Sequence, residues 1–239
     1  MTKKEIPNDY YTMYEDRYQR IYKHGLKKWT RCVLDKELDV FVETADLKKD
    51  MLGIDIGCGE GFNSIYLSGK GMSMTGVDYS TTGLEKAREF SAKENRTVDF
   101  VQDDALILSK FCNNTFDFGV STGCLHMLVK QSDRDKLFQQ IKRVLKPNGI
   151  FFFLNRGDGV NEEYPDIENY LETREWRLVE GPKHIPVDIL KLPHLPTWVK
   201  NWEHHLKEID DNGFKVIHRF ESINEAYSNS MCVIIKNKF

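Results

Sequence analysis

No stretch of this chain is apolar for the ~18 residues that a membrane-spanning helix needs. The opening residues, MTKKEIPNDYY, lack the apolar core of a signal peptide, so a cytoplasmic protein with no membrane association is expected. Charge of neither sign dominates: 34 Lys and Arg face 37 Asp and Glu, a formal net charge of −3. No global basic signal for nucleic acid follows from that balance. The five cysteines, Cys32, Cys58, Cys112, Cys124 and Cys232, form no C-x-x-C pair and read as reduced thiols. His184, His194, His204 and His205 show no H-E-x-x-H or other metal-ligand spacing, so no metal is expected. G-x-x-x-x-G-K-[ST] is missing as well, which excludes a P-loop. Internal repeats and low-complexity tracts are absent. A length of 239 residues suits one α/β domain with an insertion or cap.

What the chain does have is concentrated in Met51 to Ser80. Leu52, Ile54 and Ile56 are the apolar run of a buried strand. Asp55, Gly57, Gly59 and Gly61 form D-x-G-x-G-x-G, a helix opens at Phe62, and a second strand over Met72 to Val77 ends at Asp78. Glycines let backbone approach a ligand closely, and ligands of open α/β sheets lie beyond the strands' carboxyl ends. An acidic residue about 20 positions after such a loop can accept from ribose hydroxyls. The third glycine comes one residue too early for the dinucleotide pattern G-x-G-x-x-G. Asp55 and Glu60 flank the loop with negative charge, which disfavours a diphosphate and suits an amine or sulfonium.

D-I-G-C-G-E-G followed by V-D-Y-S resembles the class I S-adenosylmethionine-dependent methyltransferases, as does the later run L-K-P-N-G-I-F-F-F. The resemblance covers residues 50–155 well and 203–236 loosely. It implies a doubly wound, mostly parallel seven-stranded α/β sheet with helices on both faces and an antiparallel last strand. It also implies S-adenosyl-L-methionine as cofactor, with Asp55, Gly57, Cys58, Gly59, Gly61, Asn63, Asp78, Tyr79, Ser80, Ala105 and Ser121 around it. An acidic residue after the third strand would meet the adenine amine. Asp104, before Ala105, fits best, with Asp103 as the alternative.

Two segments flank that core. Residues 1–50 read as an N-terminal helical lid or cap, and residues 51–239 as the methyltransferase domain. Tyr11, Tyr14, Tyr18 and Tyr22 fall on one helical face, either packed on the sheet domain or covering the ligand, with Tyr14 and Tyr18 as substrate contacts. Lys23, Lys27, Lys28 and Arg31 follow, and a second helical segment runs from Leu34 to Val42. Phe116 to Ser121 is the fourth strand; the loop after it, Thr122 to His126, adjoins the switch point where donor and acceptor should meet. Ser132 reads as the cap of the next helix, and K-P-N-G as the turn that ends it before a fifth strand over Ile150 to Leu154. Residues 155–203 read as a substrate-side insertion whose prolines exclude one long helix. Arg156 within it borders the crevice and is a candidate substrate contact.

No paired carboxylates or catalytic triad stands beside the glycine loop. The expected chemistry is methyl transfer to an O, N or S atom of a small molecule, driven by positioning, with His126 as an auxiliary base and acceptor contact. Two rivals remain open at this level. One is a methyltransferase for protein or RNA. The other is a non-catalytic nucleoside-binding regulator, because fold does not fix function.

Overall fold

The computed structural model describes residues 6–23, 25, 34–166, 173–179, 186–224 and 227–238. A 3-10 turn (Tyr10–Met13) leads into α1 (Tyr14–Lys23), and α2 (Asp35–Thr44) precedes the sheet. Then come β1 (Leu52–Ile56), α3 (Phe62–Gly69), β2 (Ser73–Asp78), α4 (Thr81–Lys93), β3 (Val98–Gln102) and β4 (Phe116–Thr122). A second 3-10 turn (Leu125–Met127), α5 (Gln131–Val144) and β5 (Leu145–Arg156) follow. The chain continues through β6 (Thr173–Val179), β7 (Pro186–Pro193), α6 (Trp202–Asp211), β8 (Phe214–Ser222) and β9 (Ser230–Asn237). Lys27, Lys28 and Arg31, singled out above, lie outside the described residues.

Seven strands form one sheet in the order β3-β2-β1-β4-β5-β9-β8. The first five are parallel, and β9 runs antiparallel to both β5 and β8. The expected doubly wound, mostly parallel architecture with an antiparallel last strand is therefore present. The apolar run of β5 explains why both faces are covered. Phe151 and Phe153 point to one cluster with Leu137, Phe138, Ile141 and Val144 of α5. Phe152 and Leu154 point to the other, with Leu38 and Phe41 of α2 and Leu67 of α3. Strand alternation sends neighbours to opposite faces, so a continuous apolar run needs helices on both. Phe41 stacks on Phe152 at 5.2 Å between ring centroids. Within residues 1–50, then, α2 belongs to the core of the sheet while α1 lies elsewhere.

Two local readings differ from the sequence. K-P-N-G lies inside β5: Phe116 pairs with Leu145 and Phe118 with Ile150, so five residues of β5 span two of β4 as a bulge. The cap of α5 is Lys130, not Ser132, and it offers no side-chain bond. The Lys130 ammonium donates to Asn8 Oδ1 at 2.9 Å and to Pro7 O, so the helix starts beside an N-terminal anchor that local sequence does not reveal. Between β5 and α6 lies a two-stranded antiparallel sheet, β6 with β7. Pro186 and Pro193 sit at the ends of β7, where a missing N–H costs least.

Beneath the loop after β4 lies a buried ion cluster. Arg134 of α5 forks onto Glu208 of α6, Nε to Oε1 at 2.6 Å and Nη2 to Oε2 at 2.8 Å. Its Nη1 donates to the carbonyls of Leu125 and Leu128, and Lys200 donates to Glu208 Oε1 at 2.9 Å. Burial alone would raise the Glu208 carboxyl; the bonds from Arg134 and His205 outweigh it and hold the group well below the usual carboxylate range. Glu208→Ala strands two buried cations and is expected to cost about 3–5 kcal/mol of unfolding free energy. Urea unfolding followed by tryptophan fluorescence reads that loss, and a midpoint equal to wild type would show the cluster to be energetically silent.

Candidate active site

The carboxyl ends of β1, β2, β3 and β4 open into one cleft. Gly57, Cys58, Gly59 and Glu60 form its floor after β1; Asp78 and Tyr79 line it at the end of β2. Asp104, Ala105 and Leu106 contribute after β3, and Thr122, Gly123, Cys124, Met127 and Leu128 after β4. Tyr11, Tyr14, Tyr18 and Leu34 cover it from the N-terminal side, and Tyr227 reaches it from the connection between β8 and β9.

The floor needs glycine for two separate reasons. Gly57 and Gly59 have φ of 74° and 53°, the left-handed region that L side chains avoid. A Cβ on Gly57 would stand 2.7 Å from the Cys124 Cβ, and one on Gly59 would stand 2.4 Å from the Tyr18 hydroxyl. Asp78 sets the loop's shape: its carboxylate accepts from Gly59 N and from Ser80 N, both at 2.8 Å. Burial raises the Asp78 carboxyl, and these backbone bonds oppose the rise.

The first 3-10 turn and helix α1 are tied down along their length. Tyr11 donates to Asp104 Oδ2 at 2.8 Å and Tyr14 to the Met127 sulfur at 2.7 Å. Tyr22 donates to Glu60. Glu15 accepts at the N-terminus of α4 from the hydroxyls of Ser80 (2.5 Å) and Thr82 (2.6 Å), and from Thr82 N at 3.2 Å. The tyrosine face thus both packs and presents hydroxyls to the cleft.

Of the residues singled out in the sequence, Gly57, Cys58, Gly59, Asn63, Asp78, Tyr79, Asp104, Ala105, Tyr14 and Tyr18 meet at the cleft. Asp104 faces it, whereas Asp103 turns away to accept from Lys110 N at 2.9 Å. Asp55, Gly61, Ser80 and Ser121 stand behind the wall. Asp55 is fully buried and accepts from Ser64 Oγ at 2.7 Å, while its Oδ1 has no hydrogen-bond partner. Gly61 packs against Phe100, Ser80 caps α4 by accepting from Gly83 N, and Ser121 is buried within β4.

His126 and Arg156 depart from their expected places. His126 is 2% exposed and lines a separate small void with Arg156, Asn155 and His205. Its Nδ1 accepts from Arg156 N at 3.3 Å, and its ring meets Tyr227 edge-on at 5.4 Å. Burial pushes the imidazole down to about 3 against the bond from Asn155, so it stays neutral and weakly basic at physiological pH. The Arg156 guanidinium pairs outward with Glu163 at 2.5 Å. Sequence reasoning missed Leu34, Leu106, Met127, Leu128 and Tyr227. Tyr227 had one faint local signal, the asparagine three residues earlier: Asn224 Oδ1 accepts from Tyr227 N at 2.9 Å and turns the chain back.

Comparison with known proteins agrees with this geometry. Residues 54–153 match the family model described as a methyltransferase domain. The ubiquinone biosynthesis O-methyltransferase of Haemophilus ducreyi is 33% identical over 189 residues, 77% of this chain and 78% of that protein. The protein of that name from Actinobacillus pleuropneumoniae is 31% identical over 102 residues, 42% of this chain. That alignment spans only 43% of the relative's length. Among solved structures, the Burkholderia thailandensis 1,6-didemethyltoxoflavin-N1-methyltransferase superposes with a TM-score of 0.70 at 15% identity, covering 98% of this chain and 92% of its own. That structure holds 1,6-didemethyltoxoflavin and S-adenosylhomocysteine. The chain belongs to the class I S-adenosylmethionine-dependent methyltransferase family.

Asp55 gives the site a pH signature. Burial first, and the Asp78 charge second, push its carboxyl up to about 7 against the bond from Ser64. The unfolded carboxyl titrates near 3.9. Between those values the folded chain holds a proton that the unfolded chain has lost, so stability falls as pH rises from about 4 to 7 and then levels. Asp55→Asn should remove that decline. Thermal unfolding of both chains from pH 4 to 8 checks it: the variant's relative stability should climb with pH and reach a plateau near 7.

Proposed function

We propose that the protein transfers the methyl group of S-adenosylmethionine to an O, N or S atom of a small-molecule acceptor, mainly by holding donor and acceptor in line. The observation that carries this reading is the glycine floor, clasped by Asp78 and facing a cleft covered by three N-terminal tyrosines. The residues suit that cofactor. Gly57 and Gly59 leave a cradle that a Cβ would fill, and their backbone can lie against the donor's sulfur end. Asp78 would accept from the ribose hydroxyls, and Asp104 from the adenine amine. The unpartnered Asp55 Oδ1 leaves a buried acceptor behind the loop. When bound, the cofactor supplies a methyl group already activated on a sulfonium.

The protein's own work is then to orient and to exclude water. Tyr11, Tyr14 and Tyr18 shield the cleft, and Met127, Leu128 and Tyr227 line it with them. Proximity and orientation of this kind can contribute roughly 7–11 kcal/mol. An acceptor that arrives protonated needs a base, and His126, buried behind Tyr227 with its pKa near 3, does not suit that task. The tyrosine cover favours a small acceptor over a protein or RNA chain, which would need an open face.

Two experiments test the proposal. Calorimetry should show binding of S-adenosylhomocysteine, weakened by about 1.5–3 kcal/mol in Asp78→Ala, the range for a hydrogen bond to a charged group. Label from methyl-labelled cofactor should enter the small-molecule fraction of a cell extract. Label found only in macromolecules would replace the acceptor class, and tight NAD binding without S-adenosylhomocysteine binding would sink the reading. For catalysis, the single-turnover rate between pH 5 and 9 should carry no inflection that disappears in His126→Gln. An inflection near 6 to 7, lost in that variant, would restore His126 as a base.

A further inference from the structure

The two ends of the cleft differ in chemistry. Asp78 and Asp104 mark the cofactor end with carboxylates. Around the loop after β4 the lining is mostly apolar and uncharged: the Met127 thioether, Leu128, Leu34, the rings of Tyr14 and Tyr227, and the Cys124 thiol, with Thr122 and Asn63, bonded to each other, as the polar exceptions. Burial pushes that thiol up to about 12, so it is not a thiolate at physiological pH. Burial likewise raises the Tyr14 hydroxyl above its ordinary value, which keeps it protonated.

Tyr227 is built into this end rather than draped over it. Its hydroxyl lies where a Cβ on Gly123 would stand, 2.1 Å away, and Gly123 has φ 76°. The ring is braced edge-on by His126. The backbone is held by Asn224, whose side chain also donates to Ser230 Oγ at 2.9 Å and to Glu37 Oε1 at 3.3 Å. Glu37 is a buried residue of α2, so the connection is fastened to the core at both ends. Two aromatic rings, a thioether and aliphatic side chains favour a flat, uncharged partner. A fixed phenolic hydroxyl beside them can hydrogen-bond a polar atom on such a ring.

We propose that Tyr227 is a specificity-determining residue of the acceptor subsite, which takes a planar, uncharged ring bearing a polar atom that the Tyr227 hydroxyl holds. This rests on the methyl-transfer reading above and names the acceptor class for it. The carboxylates at the other end would oppose a ring carrying an anionic group. His126 acts on the acceptor only by fixing the Tyr227 ring.

The test uses the full chain loaded with S-adenosylhomocysteine and labelled at the methionine methyl groups, with Met127 as reporter in the wall. Toluene, phenol and benzoate are titrated as ring probes of nearly equal size. Phenol should shift the Met127 methyl signal and bind several-fold more tightly than toluene or benzoate. Tyr227→Phe should bring phenol to the level of toluene, leaving toluene and S-adenosylhomocysteine affinity unchanged; the last of these also shows that the variant folds. Equal phenol affinity in the two chains removes Tyr227 from the subsite. Benzoate binding as tightly as phenol overturns the uncharged class. No shift at Met127 from any ring, with S-adenosylhomocysteine bound, overturns the aromatic subsite while leaving the cofactor reading intact. Failure of S-adenosylhomocysteine itself to bind overturns the methyl-transfer reading, and this inference with it.

Discussion

One carboxylate holds two backbone amides, and most of the site depends on that arrangement. Asp78 accepts from Gly59 N and Ser80 N, fixing the glycine loop to the start of α4. Neither partner could hold this geometry alone: the loop needs left-handed backbone at Gly57 and Gly59, and exposed amides at a helix start need an acceptor. Glu15 then adds a second carboxylate at the same helix start, where the helix dipole favours negative charge. Through α4, the floor of the cleft and its N-terminal cover are parts of one hydrogen-bonded unit.

The core was legible because its signals are local. The apolar run Ile150 to Leu154, the D-x-G-x-G-x-G loop and Asp78 each state their environment within a few residues. The tyrosine face was legible for the same reason, since helical spacing puts Tyr11, Tyr14 and Tyr18 on one side. What escaped was set by distant partners. Lys130 stands at the start of α5 beside Pro7 and Asn8, and K-P-N-G bulges within a strand because β4 pairs on both sides of it. His126 sat at the right place in sequence, but its side chain turns into a void beside Asn155 and away from the cleft. No spacing rule shows which way a side chain leaves a loop. Tyr227 entered from a connection whose role depends on Gly123, more than 100 residues earlier.

The ion cluster under the loop after β4 has a positional role distinct from its energy. Replacing such a cluster with apolar side chains often leaves stability unchanged or improved. Apolar side chains, however, would not hold the Leu125 and Leu128 carbonyls. Arg134 spends four of its five donors on Glu208 and those carbonyls, which stops the loop from sliding along α5. Met127 and Leu128 therefore present a fixed wall to the cleft.

The same brace also orders the birth of the molecule. The residues of floor and clasp have all been made by residue 80, whereas Glu208 emerges 74 residues after the arginine it must meet. At about 5–20 residues per second, that is a delay of roughly 4–15 s. During translation the residues of the floor are therefore made before the loop can be braced, with Tyr227 still to come. The side chains that set selectivity at this site are thus among the last that the growing polypeptide supplies.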